Sequence, residues 1–248
     1  MQLRLIGRQV VRLKSVTSTN DVAFELAERG AAEGTVVLAD MQTRGRGRRG
    51  RPWHAAPYTS VLFSSILRPS PSCQKTTLLT ALAAVAACDT IASHSGLETL
   101  IKWPNDVYVL GRKICGILIE QRRQVFVVGI GINVNQTALE LQAAELPEAI
   151  SLRAGCSREF STEAVALDLM QHLDIAYNEV LHGGHNRVLQ KWVKAMRLPG
   201  SQVKIRHPGG EAIGRLVEID FDELKLEGVA DRPIAFNLSH VQAIQRLL

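Results

Sequence analysis

Cysteine is scarce and scattered. The four in 248 residues are Cys73, Cys88, Cys115 and Cys156, with no CxxC pair and no zinc-ligand spacing among them. That excludes a disulfide framework and leaves free, buried thiols in a reducing cytoplasm as the expectation. Long apolar runs are missing too. Leu78–Cys88 is alanine-rich, stops at Asp89 and is too short and too weakly hydrophobic to cross a bilayer. The first residues, Met1 to Ile6, carry no apolar stretch ahead of a small-residue cleavage site, so no signal peptide is read. None of the seven histidines falls in an HxxxH or HExxH pattern. There is no Walker A loop and no readable Ser-His-Asp or Cys-His arrangement.

What is present is positive charge in one place. The chain has 29 Lys+Arg against 24 Asp+Glu, and a pI near 9.2. Arg44 to Arg51 holds five arginines, three glycines and no acid; without those five arginines, bases and acids are equal in number. Guanidinium forks match phosphate and carboxylate oxygens, and glycines let backbone N–H groups approach an anion. A solvated basic loop or a nucleic-acid patch would also explain the charge. However, arginine–glycine tracts that bind RNA are normally longer and disordered. This one sits between two expected core strands and runs straight into Trp53.

At 46% hydrophobic and 21% charged, the composition is that of a globular chain with room for one large domain and one small one. Strands are expected at Val10–Lys14, Thr35–Ala39, Tyr58–Leu67, Leu100–Lys102 and Gln124–Gly129, with a hairpin over Val107–Leu110 and Lys113–Glu120. Helices are expected over Asp21–Arg29, with a Ser15–Asn20 hydroxyl as its cap, and over Lys75–Ser93. From Leu146 the pattern turns helical, with one helix from Ser161 to Gly183 and another over Asn186–Met196. After the Pro199-Gly200 break, short apolar pairs between glycine or charged turns indicate a barrel of about five strands. The expected domains are 1–198 and 199–248.

Lys102 ends a strand and is followed by a proline-fixed turn, Trp103-Pro104-Asn105-Asp106, which positions its ammonium for charge neutralisation. Snorkelling of Lys102 and a turn-opening Asp106 are the plain alternatives. Ser18-Thr19-Asn20 offers short hydrogen-bonding groups, although capping alone would explain it. Gly129-Ile130-Gly131 after a strand lacks the third glycine and helix of a dinucleotide fold. Gly116 within a strand indicates close approach of backbone or ligand.

The order of these segments resembles the biotin protein ligases: Ser18-Thr19-Asn20, then Gln42 to Trp53 with its Gly-Arg-Gly-Arg-Arg-Gly core, then Lys102 to Asp106, Lys113 to Glu120, and Gly129 to Asn135. The likeness is strong over residues 10–135 and looser beyond. It implies an α+β fold, with a mixed-sheet biotin/lipoate ligase-like catalytic domain and a small C-terminal SH3-like β-barrel. It also implies a two-step reaction. Biotin's carboxylate attacks the α-phosphorus of ATP, with Mg2+, to give biotinyl-5'-AMP; a lysine of a biotin carboxyl carrier protein, that of acetyl-CoA carboxylase, then takes the biotin.

Carried over by motif, Lys102, Arg46 and Arg48 are catalytic. Ser18, Thr19, Asn20, Gln42, Arg46, Gly47, Arg48, Trp53, Lys102, Gly116 and Gly131 hold biotin or its adenylate, with Arg46 nearest the carboxylate. Arg49, Arg51 and Asn133 face the nucleotide, and Asn105 and Asp106 are weak metal candidates. The arginine loop would fold over the adenylate as a lid.

The resemblance implies a homodimer or a monomer. About 14 residues precede Ser15, too few for the family's winged helix-turn-helix, so no DNA binding is expected. The Phe221–Leu226 segment lacks the glycine turn found in many members, which leaves that hairpin open. A lipoate ligase shares the fold and the adenylating logic; the arginine loop and Lys102–Asp106 favour biotin. A nucleic-acid-binding module is the alternative from another class.

Overall fold

Alternating and β-branched runs pair into two sheets in a computed structural model that describes residues 3–229 and 232–247. The larger sheet contains β1 (Val10–Val16), β2 (Val36–Gln42), β3 (Ser60–Leu67), β4 (Thr99–Lys102), β5 (Asp106–Val109), β6 (Arg112–Arg122) and β7 (Val125–Asn133). Its spatial order is β1-β2-β3-β7-β6-β5-β4, with β1 parallel to β2 and the other pairs antiparallel. The smaller sheet has β8 (Gln202–His207), β9 (Gly210–Ile219), β10 (Glu223–Glu227), β11 (Ile234–Asn237) and β12 (Ala243–Arg246), in the order β11-β10-β9-β8-β12.

The two faces of the large sheet are built differently. Phe63, Phe126, Val128, Ile130 and Ile132 point to one side. There they bury against α2 (Thr76–Ser95), α5 (Thr162–Leu181) and α6 (His185–Met196) in the main core. Among the described residues the opposite face carries one helix, α1 (Thr19–Glu28), seated through Ala23 and Phe24 on Val37, Ile66 and Val127. Strand side chains alternate between faces, so the α1 face also receives Ser64, Gly116, Gly129 and Gly131. Small residues in successive positions there leave a trough beside α1.

The expected elements form with shifted ends. β7 runs on through the Gly-Ile-Gly segment to Asn133. One short helix falls outside the expected pattern, α3 (Ala138–Ala143), closed by a Thr137/Glu140 capping box, while α4 (Leu152–Cys156) lies within the stretch expected to turn helical from Leu146. The β9–β10 turn needs no glycine, because Asp220 Oδ1 accepts from the backbone N–H of Asp222 and Glu223 at 2.7 and 2.8 Å.

α2 corrects the membrane argument. At 20 residues it is long and apolar enough to match a span by length and composition. Here it is the central core helix, covered by the sheet, α5 and α6. All four cysteines are free thiols; burial raises the thiols of Cys88 and Cys115 above the usual range, as befits packing residues.

Candidate active site

The trough opens into a cavity of about 420 Å³. Its inner end is polar. Ser18 occupies the N-cap position of α1 but makes no capping bond, and Thr19 and Asn20 lie inside the first turn, so the capping explanation fails here. All three are nearly fully buried. Gln42 Oε1 accepts from Thr19 N at 2.7 Å and Thr19 Oγ1 at 3.0 Å. Ser64 Oγ is shared between Thr19 Oγ1 at 2.7 Å and Asn20 Oδ1 at 2.5 Å. Asn20 Nδ2 donates to Glu120 Oε2 at 2.7 Å. Buried polar groups connected in this way hold fixed positions.

Glu120 continues the chain into the arginine loop. Arg46 donates to Asp21 at 2.7 and 2.8 Å and to both Glu120 oxygens at 3.0 to 3.3 Å. The Asp21 hydrogen bond raises its guanidinium pKa above the ordinary value, and Arg46 in turn lowers that of Asp21. Arg46 thus roots the loop; its fork is already occupied by two carboxylates and does not stand open to a ligand's. Beyond it the loop closes as a small hairpin. Gly47 N donates to Arg51 O at 2.6 Å, and Trp53 N to Gly45 O at 2.9 Å.

Arg48, Arg49 and Arg51, at the tip, are exposed and line the cavity. Among the described residues they have no carboxylate partner within ion-pair distance. The Arg48 guanidinium is pushed down by partial loss of water and then by the like charge of Arg49, with Asp106 partly opposing.

Trp53 returns over the trough. Gly116 and Gly131 are direct partners across β6 and β7. A Cβ on Gly131 would come within 2.6 Å of the indole, and one on Gly116 within 2.9 Å. Glycine at both positions lets a flat ring lie on the sheet.

At the outer end stands Lys102, exposed to the cavity, with Nζ 3.3 Å from Tyr108 Oη and 4.7 Å from its ring centre. The Trp103–Pro104 peptide that follows is cis. Asn105 is stitched to β6, its Nδ2 donating to Ile117 O at 2.6 Å and its carbonyl accepting from Ile117 N. Asp106 lies 2.7 Å from Lys113 Nζ.

Asn105 offers only its neutral side-chain oxygen and the Asp106 carboxylate is already paired with the Lys113 ammonium, a poor fit to a magnesium ion, so the metal role expected of Asn105 and Asp106 is not supported. No group of three His, Cys, Asp or Glu gathers elsewhere among the described residues. Asn133 does not line the cavity either. It is buried, with Nδ2 donating to Ile150 O at 3.1 Å and Oδ1 accepting from Gln136. The other expected residues, Ser18, Thr19, Asn20, Gln42, Arg46, Gly47, Arg48, Arg49, Arg51, Trp53, Lys102, Gly116 and Gly131, all line it. Lys113 joins them. Glu120 and Asp21, which hold Arg46, were not read from sequence; only their acidic character among basic motifs marks them.

Fold and cavity together define an α+β ligand-binding domain joined to a small β-sheet unit, with a polar pocket at one end of a glycine-floored trough and, at the other, cations that have no carboxylate partner among the described residues. The chain belongs to the Biotin/lipoate A/B protein ligase family, which matches it over residues 12–136. It is 33% identical over 225 residues to the bifunctional ligase/repressor BirA of Bacillus spizizenii, covering 89% of this chain and 69% of that relative. To the biotin--[acetyl-CoA-carboxylase] ligase of Mycobacterium tuberculosis it is 30% identical, covering 86% and 80%. Its fold is similar to that of an Aquifex aeolicus biotin protein ligase solved with biotin and ATP, with a TM-score of 0.83 over 97% of this chain and all of the other, at 24% identity. The smaller antiparallel sheet is consistent with an SH3-like domain.

Proposed function

We propose that this chain is a biotin protein ligase that makes biotinyl-5'-AMP from biotin and ATP, and passes biotin to a lysine of the biotin carboxyl carrier protein of acetyl-CoA carboxylase. One observation carries the reading. A single cavity joins a buried, pre-tethered polar pocket to unpaired Lys102, Arg48, Arg49 and Arg51. That arrangement suits a small acid with a polar head and a carboxylate that must meet a polyphosphate. The names of the relatives support biotin as the acid and the carboxylase as the destination.

In this mechanism Ser18, Thr19, Asn20 and Gln42 receive the ureido ring, and Gly116 and Gly131 lie beneath ring and tail. Trp53 covers them. Two anions must approach, and Lys102 and Arg48 lower the repulsion at the carboxylate–phosphate junction. The reaction depends on positioning and charge neutralisation rather than on an acid–base pair. A carboxylate oxygen bonds to the α-phosphorus while the bond to the β-phosphate oxygen breaks, and pyrophosphate leaves with the electron pair. Mg2+ arrives with ATP as part of the substrate. Arg49 and Arg51 serve the nucleotide side. The loop shields the mixed anhydride from water until the acceptor amine attacks its carbonyl and AMP departs. Residues 1–198 are the catalytic domain and 199–248 the barrel, in a cytoplasmic enzyme acting as monomer or homodimer.

The test is exchange of labelled pyrophosphate into ATP with biotin or lipoate offered in parallel, followed by transfer to a carrier domain. Biotin-dependent exchange and labelling of the carrier are expected. Exchange with lipoate alone would reassign the substrate. No exchange with either acid, together with salt-sensitive binding of RNA or DNA, would favour the nucleic-acid reading.

A further inference from the structure

The inner end of the cavity has a hydrogen-bond polarity, and Asn20 decides it. Its amide is nearly fully buried. The amide lies against the sheet at Gly129, where a Cβ would run into Oδ1 and come within 3.1 Å of Nδ2. Packing of this kind fixes where the amide sits but not which end is which, because its oxygen and nitrogen are nearly the same size. Hydrogen-bond partners make that choice.

Glu120 makes it here. Gly116, Leu118 and Glu120 share one face of β6. Gly116 and Leu118 line the cavity, and Glu120 stands behind Asn20, outside the lining. The two Glu120 oxygens accept from Nε and Nη2 of Arg46 at 3.0 to 3.3 Å. A carboxylate held in this way accepts and cannot donate. Asn20 must therefore turn Nδ2 toward it, and donates to Glu120 Oε2 at 2.7 Å. The reverse orientation would set an amide oxygen against the carboxylate. Oδ1 is left on the side of the polar pocket, where Ser64 Oγ donates to it at 2.5 Å.

The neighbouring groups are short of hydrogens too. Thr19 Oγ1 donates to Gln42 Oε1 at 3.0 Å, and the single hydroxyl hydrogen of Ser64 is shared between Thr19 Oγ1 and Asn20 Oδ1. Both hydroxyl hydrogens are thus spent inside the cluster, while lone pairs remain on Thr19, Ser64 and Asn20. A head group that fits brings hydrogens of its own. A cyclic urea carries an N–H on each side of its carbonyl; a dithiolane ring carries none.

We propose that Glu120 is a positioning residue that sets the specificity of the pocket. By holding the Asn20 amide with its oxygen inward, it selects an acid whose ring donates N–H and rejects one whose ring does not. The proposal rests on the biotin-activating reading, and its test separates the two. Biotin-dependent pyrophosphate exchange is measured first in the wild-type full chain; its absence would remove the underlying reading.

With exchange established, calorimetry compares the Kd of biotin with that of its cyclic carbonate analogue, in which ring oxygens replace both N–H groups. The wild type should prefer biotin by about 10²-fold or more, since the analogue sets an acceptor against Asn20 Oδ1. In E120Q the new amide can donate to Asn20, which is then free to turn its NH2 inward. Biotin should bind about 10-fold more weakly and the preference should shrink by a similar factor, while KM for MgATP holds within about two-fold. N20D/E120Q exchanges the partners: the amide at position 120 donates, and the carboxylate at position 20 has only oxygens to turn inward. The preference for biotin should then return to within about five-fold of the wild type. A wild type that binds the carbonate as tightly as biotin, an E120Q enzyme whose preference is unchanged, or an exchanged pair that stays unselective would each overturn the proposal. Should E120Q not fold, the exchanged pair, which keeps the net charge, decides by that last outcome.

Discussion

The base and the tip of the arginine loop use the same side chain for opposite ends. Arg46 sits less than one-third exposed between Asp21 and Glu120, with Nε, Nη1 and Nη2 each donating to one or both of these carboxylates. Two residues later, Arg48 has no carboxylate within ion-pair distance among the described residues and opens into the cavity. Arg46 therefore contributes to holding the loop and Arg48 to what the loop can bind. A cluster of like charges is not one functional unit; each guanidinium is defined by whether a carboxylate reached it first.

The sharpest way to break this distinction is to truncate the tip. R48A, and K102A at the far side of the junction, should each slow biotin-dependent pyrophosphate exchange by about 10²–10³-fold, the usual cost of losing one donor to developing charge. Melting temperature should stay within about 1 °C, because neither side chain carries a buried partner. Exchange near the wild-type rate in both variants would show that the open cations are solvated charge and nothing more.

Next in size is the trough beneath Trp53. G131V places a branched side chain where even a Cβ meets the indole at 2.6 Å. Steric misfits of this kind in a binding site cost about 1–3 kcal/mol, so KM for biotin should rise about 10- to 100-fold with little change for MgATP. Equal rises for both substrates would mean that the glycine serves the fold and not the acid.

Truncating the base should act on stability first. R46A strands two partly buried carboxylates, at about 2 kcal/mol. For a chain of this size that is a fall of roughly 4–8 °C in Tm by calorimetry. Exchange measured well below the melting point should fall less than in R48A. If R46A instead matches R48A in rate and wild type in Tm, the assignments of base and tip are reversed.

These differences also mark the limit of sequence reading. Alternation and punctuation locate the strands because neighbours along the chain decide which face is buried. The glycines of β6 and β7 are visible as gaps in otherwise apolar runs. Arg46 could not be told from Arg48, since its partners lie 25 and 74 residues away and are delivered by α1 and by a β6 that enters the sheet out of chain order. The docking of the small sheet on the turn after Lys102 is hidden for the same reason: Trp103 and Val241 meet across 138 residues. Asn133 had the opposite fault. Its place in a glycine-rich motif made it look like a ligand contact, while its amide answers Ile150 and Gln136 within the fold. The helix at Ala138–Ala143 is so short that its capping box is nearly its whole signal.

The smallest expected effect isolates the root of the loop by pH. Arg46, chiefly through its hydrogen bond, holds the Asp21 carboxyl below its ordinary value of 3.8, against the opposing effect of burial. A carboxylate with a depressed folded-state pKa stabilises the fold above its unfolded value, and that contribution is lost as pH falls through the folded one. Urea unfolding of the wild type should therefore lose stability below about pH 4 more steeply than D21N, in which the position cannot titrate. Above that pH the two curves should run parallel, with D21N lower by the missing charge in the Arg46 pair. If the curves are parallel through the acid range as well, Asp21 is not energetically coupled to Arg46. Glu120 alone would then be the anchor that separates base from tip.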